Sequence, residues 1–117
     1  MSHAKTFYEN MPTQMKKVRA ALGGTADAFG KLHHETLAEA SISVREKELC
    51  ALAVGLAVRC EPCIFAHVKA SLDAGATPEQ LIDVAKVVVL MQGGPGFMHV
   101  AAVIDALEAL GHDVPQG

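Results

Sequence analysis

The chain has 117 residues, enough for one domain, and its net charge of −3 lacks the basic excess typical of nucleic-acid-binding proteins. Its longest uncharged apolar run, residues 49–58, is too short to cross a membrane, and the N-terminus lacks the apolar segment of a signal peptide. Because neither a membrane span nor a signal peptide is indicated, we expect a cytoplasmic protein. Half of the residues are apolar and 20% are charged, so we expect some of the apolar surface to meet another subunit.

The first two predicted helices precede the residues that carry chemistry. Apolar side chains at separations of three and four predict a helix over residues 6–22, which Pro12 can confine to its second part. Two glycines end it, and a second helix is predicted over residues 26–40. His33 and His34 are neighbours on that helix and point about 100° apart, so we interpret them as solvated surface rather than an ion site.

The third predicted helix leads into a cysteine pair. Ser43 and Glu46 match a capping box, in which the serine and glutamate side chains each bond the other residue's backbone N–H, so the helix begins near Ser43. From Glu48 to Val58 the sequence is apolar nearly all round, which predicts a buried helix. Cys50, inside this stretch, is predicted to be a small core residue.

Three further helices complete the chain. Pro62 fits the first turn of a helix, so the chain is predicted to bend there and restart as a helix over residues 62–74. Thr77, followed by proline, opens a fifth helix, and a sixth extends over about residues 95–110. No alternating strand pattern is present, so we predict an all-α, single-domain bundle of about six helices over residues 1–117.

The chemistry is concentrated in Cys60-Glu61-Pro62-Cys63 and in His67, one helical turn after the second cysteine. Such a cysteine pair can close a disulfide or bind a metal. A helix N-terminus favours a thiolate, which indicates Cys63 as a nucleophile with His67 as its base, while Cys60 could resolve a sulfenic acid on Cys63. In one straight helix Glu48 would lie about 28 Å from His67, so it can orient the imidazole only if the chain turns back.

Zinc binding is the alternative for the same side chains. Cys60, Cys63 and His67, with Glu48 or His99, could supply four ligands. The chain lacks the second cysteine or histidine pair usual in structural zinc sites, so redox chemistry is favoured over a non-catalytic zinc-binding or assembly module. No flavin, haem or nicotinamide signature is present, so we expect no cofactor, and electrons would come from an external dithiol or protein reductant.

The spacing of Glu48, Cys60, Cys63 and His67 resembles that of the alkyl hydroperoxidase D-like proteins of the carboxymuconolactone decarboxylase superfamily. The motif core spans residues 43–111. The resemblance implies a helical fold and a peroxiredoxin activity in which Cys63 attacks a hydroperoxide and Cys60 resolves it. It also implies a proton relay through Glu48 and His67, and a homo-oligomer, either a trimer or a hexamer.

The sequence departs from this family pattern at one position between the cysteines. The best-known peroxidase members carry a histidine directly before the second cysteine, where this chain has Pro62. The decarboxylase branch of the superfamily typically lacks the cysteine pair. A lactone decarboxylase is therefore the less favoured function.

Overall fold

The structure is a computed structural model that describes residues 2–117, and this part of the chain contains six α-helices and no strand. The helices are α1 (His3–Leu22), α2 (Gly24–Leu37), α3 (Val44–Ala57), α4 (Glu61–Asp73), α5 (Pro78–Gln92) and α6 (Gly94–Ala109). The predicted all-α fold is confirmed. Within the described residues, no helix combines the length and apolar character that a membrane crossing requires.

The hydrophobic core lies among α3, α4, α5 and α6. Full burial of an aliphatic or aromatic side chain contributes roughly 1.5–3 kcal/mol, so these four helices hold most of the stability of the fold. The core side chains that they contribute are Leu52, Leu56, Ile64, Phe65, Val68, Leu81, Ala85, Val88, Val103, Ala106 and Leu107.

The predicted capping box at the start of α3 is present. The Ser43 hydroxyl accepts the Glu46 N–H at 3.1 Å, and the Glu46 carboxylate accepts the Ser43 N–H at 2.9 Å. The Ser43 backbone N–H, with a smaller contribution from the Ser43 side chain, holds the pKa of the Glu46 carboxyl below its usual value. The same reciprocal pairing begins α5 at Thr77 and Gln80.

The prediction that the third helix is buried all round, with Cys50 in the core, is wrong. One face of α3, including Leu52 and Leu56, packs into the core. Cys50 is exposed and free, and Val54 and Val58 are 62% and 63% exposed. These three residues recur at intervals of four and therefore share the outward face, where no other part of the described chain covers them.

The first helix begins earlier than predicted and is not confined by Pro12, which lies inside it. Its start is anchored by Asp105 of α6, whose carboxylate accepts the Ser2 hydroxyl and, at 2.9 Å, the Ala4 N–H. This contact joins positions about 100 residues apart, so the local pattern gives no sign of it. The second helix also begins and ends earlier than predicted, and none of its residues is buried.

Tyr8, the chain's one tyrosine, joins α1 to α4. Its hydroxyl donates to the Phe65 carbonyl oxygen at 2.6 Å. Burial of the hydroxyl, with smaller contributions from the charges of Asp105 and Asp73, raises the pKa of Tyr8 above its ordinary value.

We expect Tyr8→Phe to lower the free energy of unfolding by about 1 kcal/mol at neutral pH, because one hydrogen bond is lost. Since the folded-state pKa is raised, the tyrosine's contribution is complete below its ordinary pKa of about 10 and declines as the pH rises above it. Urea unfolding at neutral and alkaline pH should show the difference between wild type and variant shrinking at high pH. A difference that is constant or grows with pH would contradict this assignment.

Candidate active site

A sharp turn between α3 and α4 positions the cysteine pair. The Cys60 N–H donates to the Gly55 carbonyl oxygen at 3.0 Å, and the Arg59 N–H donates to that of Leu56 at 3.2 Å. This is the Schellman pattern, which requires a left-handed residue that is usually glycine. Arg59 takes that conformation here, with φ of 58°. The chain therefore reverses direction within a few residues, and α4 runs back along α3.

Cys60 and Cys63 are joined by a disulfide, with Cα atoms 5.2 Å apart. Cys60 is the N-cap of α4, and its Sγ accepts the Cys63 N–H at 3.3 Å. Cys63 is the third residue of the helix, and both cysteines are partly exposed. The structure thus describes the oxidised form of the pair, at the N-terminus of a helix.

The reversal brings Glu48 to His67. Glu48 Oε1 and His67 Nδ1 are 2.8 Å apart, and their side chains are 9% and 22% exposed. A carboxylate accepts, so the hydrogen of the neutral imidazole lies on Nδ1 and Nε2 carries the free lone pair. His67 follows Cys63 by four residues and lies on the same face of α4, so this arrangement can supply a base one turn from the thiol.

The zinc alternative required further ligands around the same cysteines. Within residues 2–117 no three histidine, cysteine, aspartate or glutamate side chains are grouped to hold a metal ion. His99 makes its hydrogen bond inside α6, where Nδ1 lies 2.8 Å from the Pro95 carbonyl oxygen, and it makes none to Glu48 or His67.

Most of the chain matches proteins of one family. A profile of the carboxymuconolactone decarboxylase family matches residues 24–106, which is more than half of the chain. The chain belongs to the carboxymuconolactone decarboxylase family. Its relatives include uncharacterized protein 4 in the cox locus of Paracoccus denitrificans, which is 33% identical over 103 residues, with 82% of this chain and 93% of the relative covered. An uncharacterized protein of Cupriavidus necator is 29% identical over 102 residues, with 84% of this chain and 90% of the relative covered.

Solved structures show the same carboxymuconolactone decarboxylase architecture. A family protein from Legionella pneumophila superposes with a TM-score of 0.83 at 28% identity, covering 90% of this chain and 94% of that one. A family protein from Thermotoga maritima superposes with a TM-score of 0.78 at 24% identity, covering 90% of this chain and 89% of that one. At this identity the likeness shows the fold alone.

The sequence analysis did not identify Ser71 as a buried polar residue beside the site. It lies four residues after His67, so Cys63, His67 and Ser71 form one line along α4. The Ser71 side chain is fully buried, and its hydroxyl has no hydrogen-bond partner within residues 2–117. The interval of four residues from His67 could have placed Ser71 on the same face of the helix. A serine inside a helix does not by itself indicate a buried or functional residue.

We expect Ser71→Ala to raise the free energy of unfolding by up to roughly 1 kcal/mol, because an unpaired buried hydroxyl costs stability and alanine favours the helix. Chemical denaturation would measure the change, with Ser41→Ala in an exposed segment as the matched control. A loss of stability in Ser71→Ala alone would show that the hydroxyl has a partner in solution.

Gly55 lets α3 and α4 approach closely at Cys63. A β-carbon on Gly55 would lie 3.2 Å from the Cys63 β-carbon, closer than most such contacts. The Cys63 β-carbon is bonded directly to the backbone, so it can retreat only if α4 moves. Gly30, in the exposed helix α2, has no atom within 4 Å of such a position and provides a matched comparison.

We expect Gly55→Ala to destabilise the fold by about 1–2 kcal/mol, because the steric cost exceeds the helix-propensity gain of roughly 1 kcal/mol. Gly30→Ala should instead stabilise it by about 0.5–1 kcal/mol, since only the propensity gain applies there. Thermal and denaturant unfolding of the two variants would measure both effects. Equal stabilisation by both substitutions would contradict the close approach at Cys63.

Proposed function

We propose that this carboxymuconolactone decarboxylase family member is a dithiol oxidoreductase with peroxiredoxin activity, which reduces hydroperoxides through a Cys60–Cys63 thiol/disulfide cycle. The observation that carries the proposal is the disulfide at the start of α4, one helical turn from an imidazole that is hydrogen-bonded to a nearly buried carboxylate. The Thermotoga protein has been described as a candidate in an antioxidative response, and that description belongs to that protein.

The oxidative half of the cycle begins with the reduced pair. His67 Nε2 takes the Cys63 proton, while Glu48 holds the hydrogen on Nδ1 and favours the resulting imidazolium. The Cys63 thiolate attacks one peroxide oxygen, an S–O bond forms, the O–O bond breaks, and the leaving alkoxide takes a proton to become an alcohol. Cys63 is then a sulfenic acid.

The second step closes the disulfide. The Cys60 sulfur attacks the Cys63 sulfur, the S–S bond forms, and the hydroxyl of the sulfenic acid leaves as water with one proton. In the oxidised form the Cα separation of 5.2 Å lies within the range usual for disulfides. An external dithiol or protein reductant returns two electrons, which requires a reducing compartment such as the cytoplasm.

The test is to mix fully reduced protein with an alkyl hydroperoxide and count free thiols. We expect two of the three thiols to disappear, with Cys60 linked to Cys63 and Cys50 still free in the mass spectrum. Retention of all three thiols after exposure to hydroperoxide would refute the proposal.

We further propose that the protein functions as a homo-oligomer, a trimer or hexamer. Leu90, Met91, Phe97 and Met98 are all exposed. Phe97 borders an open apolar groove of about 540 Å³ between α5 and α6. Light scattering of the full chain should give three or six times the 12.3 kDa monomer mass, and Phe97→Glu should lower it. A monomer at micromolar concentration would contradict the assembly.

A further inference from the structure

The two sulfurs of the disulfide have different surroundings at the N-terminus of α4. Cys60 is the N-cap, with φ of −97° and ψ of 97°, and its Sγ receives the Cys63 N–H at 3.3 Å. This is the bond that a serine or aspartate oxygen makes in an ordinary N-cap. The Cys60 sulfur therefore lies where the free N–H groups and the positive end of the helix dipole favour a negative charge.

Cys63 lies one turn inside the same helix. No backbone N–H of residues 2–117 donates to its sulfur, and its β-carbon lies against α3 at Gly55. His67 lies one helical turn from Cys63 and can exchange a proton with its sulfur. Unlike the backbone N–H at Cys60, the neutral imidazole has no hydrogen on Nε2 to donate to that sulfur. When His67 is neutral and supplies no positive charge, a full negative charge is accordingly better stabilised on Cys60 than on Cys63.

We infer that the reducing dithiol attacks Cys63 and forms its mixed disulfide there, with Cys60 as the leaving thiolate. This inference rests on the dithiol cycle proposed above and specifies its reductive half. In thiol–disulfide exchange, the sulfur that leaves faster is the one whose thiolate is more stable. The N-cap hydrogen bond to Cys60 stabilises that leaving group.

Reduction of the disulfide takes two thiol–disulfide exchange steps. A donor thiolate attacks Cys63 Sγ, a donor–Cys63 bond forms, the Cys60–Cys63 bond breaks, and its electron pair goes to Cys60. The donor's second thiolate then attacks the donor sulfur, so the donor becomes a disulfide and Cys63 leaves as a thiolate. Two electrons reach the protein, and the two protons of the donor dithiol end on Cys60 and Cys63, with His67 placed to pass one to Cys63.

A trapping experiment tests which sulfur is attacked. Oxidised Cys50→Ser protein, which lacks the exposed third thiol, is mixed rapidly with 2-mercaptoethanol and quenched in excess N-ethylmaleimide. Fragmentation mass spectrometry should find the mercaptoethanol adduct on Cys63 and maleimide on Cys60, in about ten-fold excess over the reverse product. Equal amounts, or a majority of adduct on Cys60, would overturn the inference.

A second measurement compares the two thiols directly. In the Cys50→Ser background, Cys63→Ser leaves only Cys60, and Cys60→Ser leaves only Cys63 while keeping an N-cap oxygen. The alkylation rate with iodoacetamide, measured against pH, should rise at a lower pH for Cys60 than for Cys63. The opposite order would overturn the inference. Neither experiment uses a peroxide, so a failure of hydroperoxide reduction would be seen separately.

Discussion

Cys63→Ser is expected to lower the rate of hydroperoxide reduction roughly 10³-fold or more, to the background of the protein-free reaction. The reason is that the proposed attack requires a thiolate, and a serine hydroxyl at the same place is not ionised at neutral pH. The measurement is hydroperoxide consumption with an excess of dithiol donor. A Cys63→Ser variant that keeps most of the activity would exclude Cys63 as the nucleophile.

Cys60→Ser is the comparison variant, because it separates the attack of Cys63 on the hydroperoxide from the closure of the disulfide by Cys60. Without the external dithiol, which would itself reduce a sulfenic acid, this variant should consume one equivalent of hydroperoxide and stop with one added oxygen on Cys63, since no second protein thiol closes the disulfide. Cys50→Ser should behave as wild type, because Cys50 is exposed on the outer face of α3 and takes no part in the cycle. Loss of activity in Cys50→Ser would contradict that exclusion.

Glu48→Gln is expected to slow Cys63 oxidation by roughly 10²-fold while leaving the fold intact. Glutamine has nearly the shape of glutamate but no charge, so it neither favours the imidazolium nor fixes the hydrogen on Nδ1 of His67. Stopped-flow measurement of thiol loss against hydroperoxide concentration would give the rate. Glu108→Gln is the matched control, because Glu108 is exposed at the far end of α6.

Glu48 and His67 are expected to act as a unit. The His67→Gln variant should show a defect of similar size, and the double variant should be no slower than the worse single variant, because either change removes the same proton acceptor. Additive defects in the double variant would show that Glu48 acts independently of His67. An unchanged rate in Glu48→Gln would remove the carboxylate from the proposed mechanism.

Some of the molecule could be predicted from local spacing. Cys60, Cys63 and His67 are within two helical turns of one another, so their relation depends only on the existence of a helix, which Pro62 and the apolar periodicity indicate. The capping box at Ser43 is local in the same way. The family resemblance rested on the cysteine pair, His67 and the spacing of Glu48 before them, and the family match agrees with it.

By itself, the sequence determined the all-α fold, the helix that carries the cysteine pair, and the line of Cys63 and His67 on that helix, because each depends on residues a few positions apart. Only the tertiary structure decided which face of α3 is covered, and it placed Cys50 outside the core. It also decided that Glu48 meets His67. That contact depends on Arg59 taking a left-handed conformation more typical of glycine, and on α3 and α4 packing together, neither of which a local pattern contains.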